Sequence, residues 1–175
     1  MFDRAGIQQK VRRHQAGLVL DTNVLLAHVA LKVSWSFAHR FKRTDSMSDE
    51  YFAVVAEAAA TAEESTRLIT TPHILTETTD LVGEGKAEDN EHREFKELLR
   101  AFALAHRERN VPAKTVAADP VFIRLGLADG ALIFIGGGRP PLVLTDDLKL
   151  VQHLEGRGRP VAKVEHYMFP TSAFE

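Results

Sequence analysis

The stretch Gly17-Leu18-Val19-Leu20-Asp21-Thr22-Asn23 decides the fold. Leu18 to Leu20 is too short for a helix and lacks the alternation of a half-exposed strand, so it reads as a strand buried on both faces. It stops at a carboxylate, and the apolar segment Thr22 to Ala30 reads as the helix that follows. The pattern recurs downstream. Leu142-Val143-Leu144 runs into Thr145, Asp146 and Asp147, with a helix expected over Leu148 to Leu154. Leu68-Ile69-Thr70 precedes Thr71 and Pro72, a capping hydroxyl followed by a proline suited to the first helical position. Val161 to Val164 gives a last strand. Strands alternating with helices imply an α/β domain, a central parallel sheet covered on both faces in three α/β/α layers.

The remaining segments fit around that sheet. The polar stretch Arg40 to Asp49 reads as a loop, and Ser48 caps a helix from Asp49 to about Glu64. The helix opened by Pro72 is expected to run to about Val82 and stop before Gly83 and Gly85. Glu88 to Arg109 reads as one long helix with Phe95, Leu98, Leu99, Phe102 and Ala103 facing inward. Asp119-Pro120 opens a short helix ending near Gly126, and Asp129 to Ile135 forms another, halted by Gly136-Gly137-Gly138. The 175 residues fit one domain, 1–175, with a helical elaboration around residues 35–64.

Composition excludes several chemistries. There is no cysteine, hence no disulfide, thiolate metal site or cysteine nucleophile, in keeping with a reducing cytosol. The longest apolar run, Ala131 to Ile135, is far shorter than the roughly 20 residues that cross a bilayer. The N-terminus has no apolar stretch suited to a signal peptide. A soluble, cytoplasmic protein without membrane contact is expected. The net charge of −2 does not announce a polyanion partner, so any contact with nucleic acid falls to local basic clusters.

The acids carry the chemistry. In open parallel sheets, ligands bind in the crevice beyond the carboxyl ends of the strands. If the two Leu-Val-Leu strands are neighbours, Asp21 and Asp147 project into one crevice. Glu77 lies in the helix after the second strand and Asp129 at the start of the helix before the third, both within reach of the same edge. Two like charges about 4 Å apart repel by about 4 kcal/mol at an effective dielectric near 20. A hard divalent cation offsets that repulsion, and magnesium prefers oxygen ligands while keeping several of its waters. Such an ion activates water and stabilises charge on a phosphoryl oxygen, so phosphodiester hydrolysis is the natural reaction. Read singly, an acid after a strand is as readily a helix cap. Asp129 can cap its own helix, and Glu77, between Thr76 and Thr78, can be a solvated helix residue.

Four segments together resemble the acidic motifs of PIN domains, in the family's order and over nearly the whole chain. They are Leu20-Asp21-Thr22-Asn23, Thr71-Pro72-His73-Ile74-Leu75-Thr76-Glu77, Leu127-Ala128-Asp129-Gly130-Ala131-Leu132-Ile133 and Leu144-Thr145-Asp146-Asp147-Leu148-Lys149-Leu150. The resemblance implies a Mg2+- or Mn2+-dependent endoribonuclease, nearest to the VapC-like toxins of toxin–antitoxin pairs and held in check by an antitoxin protein. It makes Asp21, Glu77, Asp129 and Asp147 the catalytic quartet, with Asp21, Asp129 and Asp147 as metal ligands. Asn23 hydrogen-bonds near Asp21, and Thr145 orients the last acid or a water. Asp147 takes the fourth place by the family's Thr-x-Asp spacing, and Asp146 is its rival. The Lys32 to Glu64 stretch and the long second-half helix make this chain larger than the compact toxins.

Arg40, Lys42 and Arg43 are the basic residues favoured for RNA, because Trp35, Phe37 and His39 stand close enough in sequence to stack bases. The plainer reading makes Trp35, Phe37 and Phe41 core residues. Two further basic groups, Lys10, Arg12, Arg13 and Arg157, Arg159, Lys163, read as solvated faces. No H-E-x-x-H spacing occurs among the eight histidines, and His73, four residues before Glu77, is a candidate to line the site. Gly136 to Gly138 lacks the Lys-Ser or Lys-Thr of a phosphate-binding loop and reads as a turn. The aromatic tail Tyr167 to Phe174 is expected to dock on the body or on a second subunit, in a homodimer. The alternative is a non-catalytic module of the same fold that binds RNA or protein. An aspartate-nucleophile phosphatase is disfavoured because Asp21-Thr22-Asn23 lacks the second aspartate of Asp-x-Asp.

Overall fold

Five short strands, β1 (Leu18–Leu20), β2 (Leu68–Thr70), β3 (Arg107–Glu108), β4 (Leu142–Thr145) and β5 (Val161–Lys163), form one sheet in the order β3-β2-β1-β4-β5, every pair parallel. The structure is a computed structural model and describes residues 2–83 and 90–169. Every residue of β1, β2 and β4 is buried, as their uninterrupted apolar composition requires of strands covered on both faces. Register sets the functional edge. Leu18 stands opposite both Leu68 and Leu142, and Leu20 opposite Leu144, so β1 and β4 end side by side. The ladder extends one bond further, from the Asp21 amide to the Leu144 carbonyl at 3.1 Å.

Nine helices among the described residues flank the sheet: α1 (Arg4–Arg13), α2 (Thr22–Val33), α3 (Trp35–Arg40), α4 (Asp49–Glu63), α5 (Pro72–Gly83), α6 (Asn90–Ala105), α7 (Ala113–Ala117), α8 (Val121–Phe134) and α9 (Leu148–Gly156). The chain steps outward from β1 through β2 to β3, then returns across the sheet to β4 and β5. Right-handed crossovers made in opposite directions place their helices on opposite faces. Packing follows that division: α2 packs against α4, α5 and α6, while α7, α8 and α9 pack in series. The reversal falls between β1 and β4, the position where open parallel sheets form their binding crevice. Phe52, Phe95, Leu25 and Leu132 are fully buried in the helical layers around it. No helix among the described residues is long and apolar enough to cross a membrane.

Local chemistry explains the helix starts. The Ser48 hydroxyl accepts from the Tyr51 amide at 3.2 Å and Thr71 from Ile74 at 3.2 Å, so both caps lie where the sequence puts them. Trp35–Arg40 is helical, because Ser34 caps it through the Phe37 amide at 2.9 Å, so the loop begins at Phe41, one residue later than expected. Two expectations are corrected. The long helix ends at Ala105, and Arg107–Glu108 instead add an edge strand to β2, with the Arg109 amide bonded to the Thr70 carbonyl at 2.9 Å. The start of that helix at Glu88 and the stop at Gly85 lie outside the described residues. Asp129 lies inside α8 rather than at a helix start, because the break comes earlier, at Gly126 (φ 79°). Two helices escaped the sequence reading. Helix α1 buries only Ile7 and Val11, and α7 is 5 residues long, so neither carries a strong apolar period.

Gly17 shows why β1 begins where it does. Its φ is +111°, and an added Cβ would stand 2.5 Å from the Arg67 carbonyl oxygen and 2.6 Å from Ile69 Cδ1. Only glycine fits that conformation and that approach to β2. Gly17→Ala is expected to cost about 2 kcal/mol or more. In thermal unfolding that corresponds to a Tm lower by about 5 °C or more for a chain of this size.

Candidate active site

The end of β1 hands directly into α2, and Asp21 is the junction. Its backbone is extended (φ −66°, ψ 175°), and Oδ1 accepts from the Val24 amide at 2.8 Å, which makes it the N-cap of α2. Only 3% of Asp21 is exposed. Burial raises its pKa well above the ordinary carboxylate range, and the neighbouring charges of Asp146 and Asp129 add to the rise. The Thr145 hydroxyl, fully buried at the end of β4, hydrogen-bonds Asp21 and partly offsets the effect. The same hydroxyl oxygen accepts from the Asp147 amide at 3.0 Å. Thr145 therefore ties the two strand ends together, a stronger form of the orienting role expected for it.

Asp147 caps α9, with Oδ1 accepting from the amides of Lys149 at 2.6 Å and Leu150 at 2.9 Å. Both strand-end acids are thus helix caps. Glu77 arrives on α5 and Asp129 on α8, two helices that also touch each other. Glu77 Oε2 accepts from the Thr22 hydroxyl, so the first residue of α2 fixes a carboxylate delivered by α5. The Asp129 pKa is pushed up to about 7, first by burial and then by the charges of Glu77, Asp147 and Asp146. The four acids share a cleft of about 80 Å³ whose lining also includes Thr22, Asn23 and Leu81.

Asp146 is turned elsewhere. It does not line the cleft, and its Oδ2 accepts from the Tyr51 hydroxyl of α4 at 3.2 Å. Burial raises its pKa, against the lowering effect of the Tyr51 bond. Tyr51, itself buried, has its phenol raised first by burial and then by Asp146 and Asp21. Of the two rival acids, the structure thus puts Asp147 in the cleft and Asp146 behind it.

The donor set suits a hard divalent cation: every charged group lining the cleft is a carboxylate, and no lysine or arginine among the described residues pairs with one of these four. As the side chains stand, no group of three or more His, Asp or Glu among the described residues is arranged to enclose a metal ion.

The weaker expectations fare differently. Arg40 is committed to Glu91, at 2.9 and 3.0 Å, and to Ser36. Lys42 and Arg43 are exposed, and none of the three basic residues lines the cleft. Phe37 and Phe41 stack at 5.4 Å within the core, whereas Trp35 is half exposed against His39 and Phe52. His73 does not line the cleft either; its Nε2 donates to the Val111 carbonyl at 2.8 Å and pins the chain before α7. Arg157 pairs with Asp119, Lys163 with Glu165, and Arg159 with main-chain carbonyls at the Gly136–Gly138 turn. Of the aromatic tail, Tyr167 packs against the core and Phe169 is exposed; residues 170–174 lie outside the described residues. Thr22, Leu81 and Tyr51 were not foreseen. Leu81 follows Glu77 by four positions and so shares its helix face, a spacing legible in the sequence. No family model matches this chain, and no curated protein or solved structure matches it either.

Proposed function

We propose that the chain is a divalent-cation-dependent endoribonuclease of the PIN type, acting at the cleft between the ends of β1 and β4. One observation carries the reading: Asp21, Glu77, Asp129 and Asp147, from four separate segments, line the same small cleft. Three of these carboxylates are held by hydrogen bonds that leave the backbone little freedom: Asp21 by Val24 and Thr145, Asp147 by Lys149 and Leu150, Glu77 by Thr22. Such preorganisation spares the site the entropy of gathering its ligands at the moment of reaction.

Asp21, Asp129 and Asp147 would hold Mg2+ or Mn2+, which when bound supplies Lewis acidity toward a phosphoryl oxygen and a water suited to attack phosphorus. Glu77, the fourth acid lining the cleft, has its carboxylate fixed by Thr22 and would orient the attacking water. Asp129, pushed up to about 7, and Asp21, raised well above the ordinary carboxylate range, are the acids that would give up protons on cation binding. The cleft carries no positive charge of its own, so RNA phosphates are drawn there only with the cation in place. The toxin-like role, with a partner protein covering the cleft, and a homodimeric, cytoplasmic state belong to the same proposal.

A second reading, a non-catalytic module of this fold, is favoured by one fact: the described side chains form no ready three-ligand group. The two readings separate in one assay. Single-stranded RNA incubated with the protein and Mn2+ or Mg2+ is expected to yield internal fragments, and a chelator is expected to stop their formation. Absence of cleavage with either ion across several RNA sequences sinks the nuclease reading and leaves the binding module.

A further inference from the structure

A second pocket, open to solvent on one side, lies between α2, α4 and α6 and shares no residue with the acidic cleft. His28 and Lys32 border it six and ten residues beyond Thr22, roughly 9 and 15 Å further along the α2 axis. Its volume is about 300 Å³. Leu98 and Phe102 supply apolar wall, and His28, Glu63 and His106 converge at one end, with Lys32 at the rim.

The polar end is rich in acceptors. His28 is only 3% exposed, yet neither ring nitrogen has a hydrogen-bond partner, the Glu63 Oε1 standing 3.6 Å from Nε2. Burial lowers the His28 pKa, so the ring is neutral at pH 8. The His106 Nδ1 lies 2.8 Å from the Phe102 carbonyl. A carbonyl only accepts, so Nδ1 carries a proton, and in the singly protonated tautomer that this bond selects the lone pair is on Nε2. That Nε2 stands 3.8 Å from the same Glu63 oxygen. A lone pair this close to a carboxylate oxygen calls for a donor between them, a place that the Lys32 ammonium serves only on the Glu63 side. The Phe102 ring, with His106 at 4.3 Å and His28 edge-on at 6.2 Å, adds an aromatic face.

We propose that this cavity binds a small organic cation, a primary amine whose ammonium head bonds Glu63 and the His106 imidazole beside the buried His28 ring, while its apolar body lies against Leu98 and Phe102. An ammonium brings three donors and no acceptor, the complement of a carboxylate and an imidazole lone pair. An aromatic face beside a carboxylate strengthens the hold on a cation. The volume is at the lower end of small-molecule pockets, which run from about 300 to 1,000 Å³. Lys32 Nζ already reaches Glu63 Oε1 from the rim at 3.1 Å, so the carboxylate accepts an ammonium in this setting, and a bound amine competes with it. An anionic ligand would meet Glu63 instead.

The test is an NMR titration of the full chain with benzylamine at pH 8, with benzoate and benzyl alcohol as comparisons. Saturable shifts of the His28 and His106 ring protons are expected, with half-saturation at or below about 10 mM. Glu63→Gln, which keeps the side-chain shape, is expected to weaken binding about tenfold or more, and Lys32→Met on the exposed rim to tighten it. No saturable binding, benzoate or benzyl alcohol binding as tightly as benzylamine, or weaker binding in Lys32→Met overturns the proposal. None of these readouts depends on RNA cleavage.

Discussion

Asp21→Asn is expected to lower RNA cleavage by about 10³-fold or more, equivalent to about 4 kcal/mol of transition-state stabilisation. Asp21 is the acid that every other part of the site addresses: capped into α2 by Val24, bonded by Thr145 from β4, and electrostatically coupled to Asp146 and Asp129. Asparagine keeps the shape and still accepts from the Val24 amide, so the cap survives. It also removes a buried carboxylate whose ionised form burial disfavours. The variant is therefore expected to unfold at the same temperature as wild type at pH 8, or higher. Loss of cleavage with unchanged or raised Tm places the defect in chemistry rather than in folding. A variant retaining more than about a tenth of wild-type activity argues that Asp21 is a cap and nothing more.

The second large effect is a reversed pH dependence of stability without metal. The folded-state pKa of Asp129 is about 7, against an ordinary value of 3.8. A carboxyl raised on folding contributes stability that is complete below about pH 4 and lost as pH rises through the folded value. A shift this large in a fully shielded group corresponds to about 4 kcal/mol. Asp129 is only partly buried, and solvent screening brings the expected figure to roughly 2 kcal/mol. Asp21, also raised, acts in the same direction. His28, lowered by burial, opposes both, because its contribution is lost as pH falls. Comparison with Asp129→Asn cancels His28. On moving from pH 5 to pH 8 in chelator, which spans somewhat more than half of that effect, wild type is expected to lose roughly 1 kcal/mol more than the variant, about 3 °C in Tm. Millimolar Mg2+ at pH 8 is expected to restore wild type and leave the variant unchanged. Equal pH profiles for the two proteins contradict the electrostatic coupling of the four acids.

The buried strands and their acids were legible because two independent rules meet there. A short continuous apolar run marks a strand covered on both faces, and ligands gather where such strands end. Leu18–Leu20 and Leu142–Thr145 satisfied both, and their pairing puts Asp21 beside Thr145. Glu77 and Asp129, placed near the same edge by their positions in the chain, rested more on the motif resemblance. Nothing in their local sequence shows that α5 and α8 touch, since that contact is made by packing across the sheet edge. The Thr-x-Asp spacing points to Asp147, but what keeps Asp146 behind the cleft is a residue 95 positions away, Tyr51, whose hydroxyl bonds it. Such a long-range hydrogen bond leaves no trace in spacing. Arg107–Glu108 was read as helix because it follows sixteen helical residues of α6, and it became strand because the edge of β2 offered it partners. Arg40 illustrates the converse: a basic cluster on paper is, in the fold, half committed to a carboxylate on α6.

The central claim is that the four acids form a divalent-cation site, and calorimetric titration of Mn2+ tests it without any knowledge of the RNA. Wild type at pH 7.5 is expected to bind saturably, to release protons on binding as Asp129 ionises, and to lose that binding in Asp21→Asn. No saturable Mn2+ binding by wild type, or binding equally strong in Asp21→Asn, contradicts it.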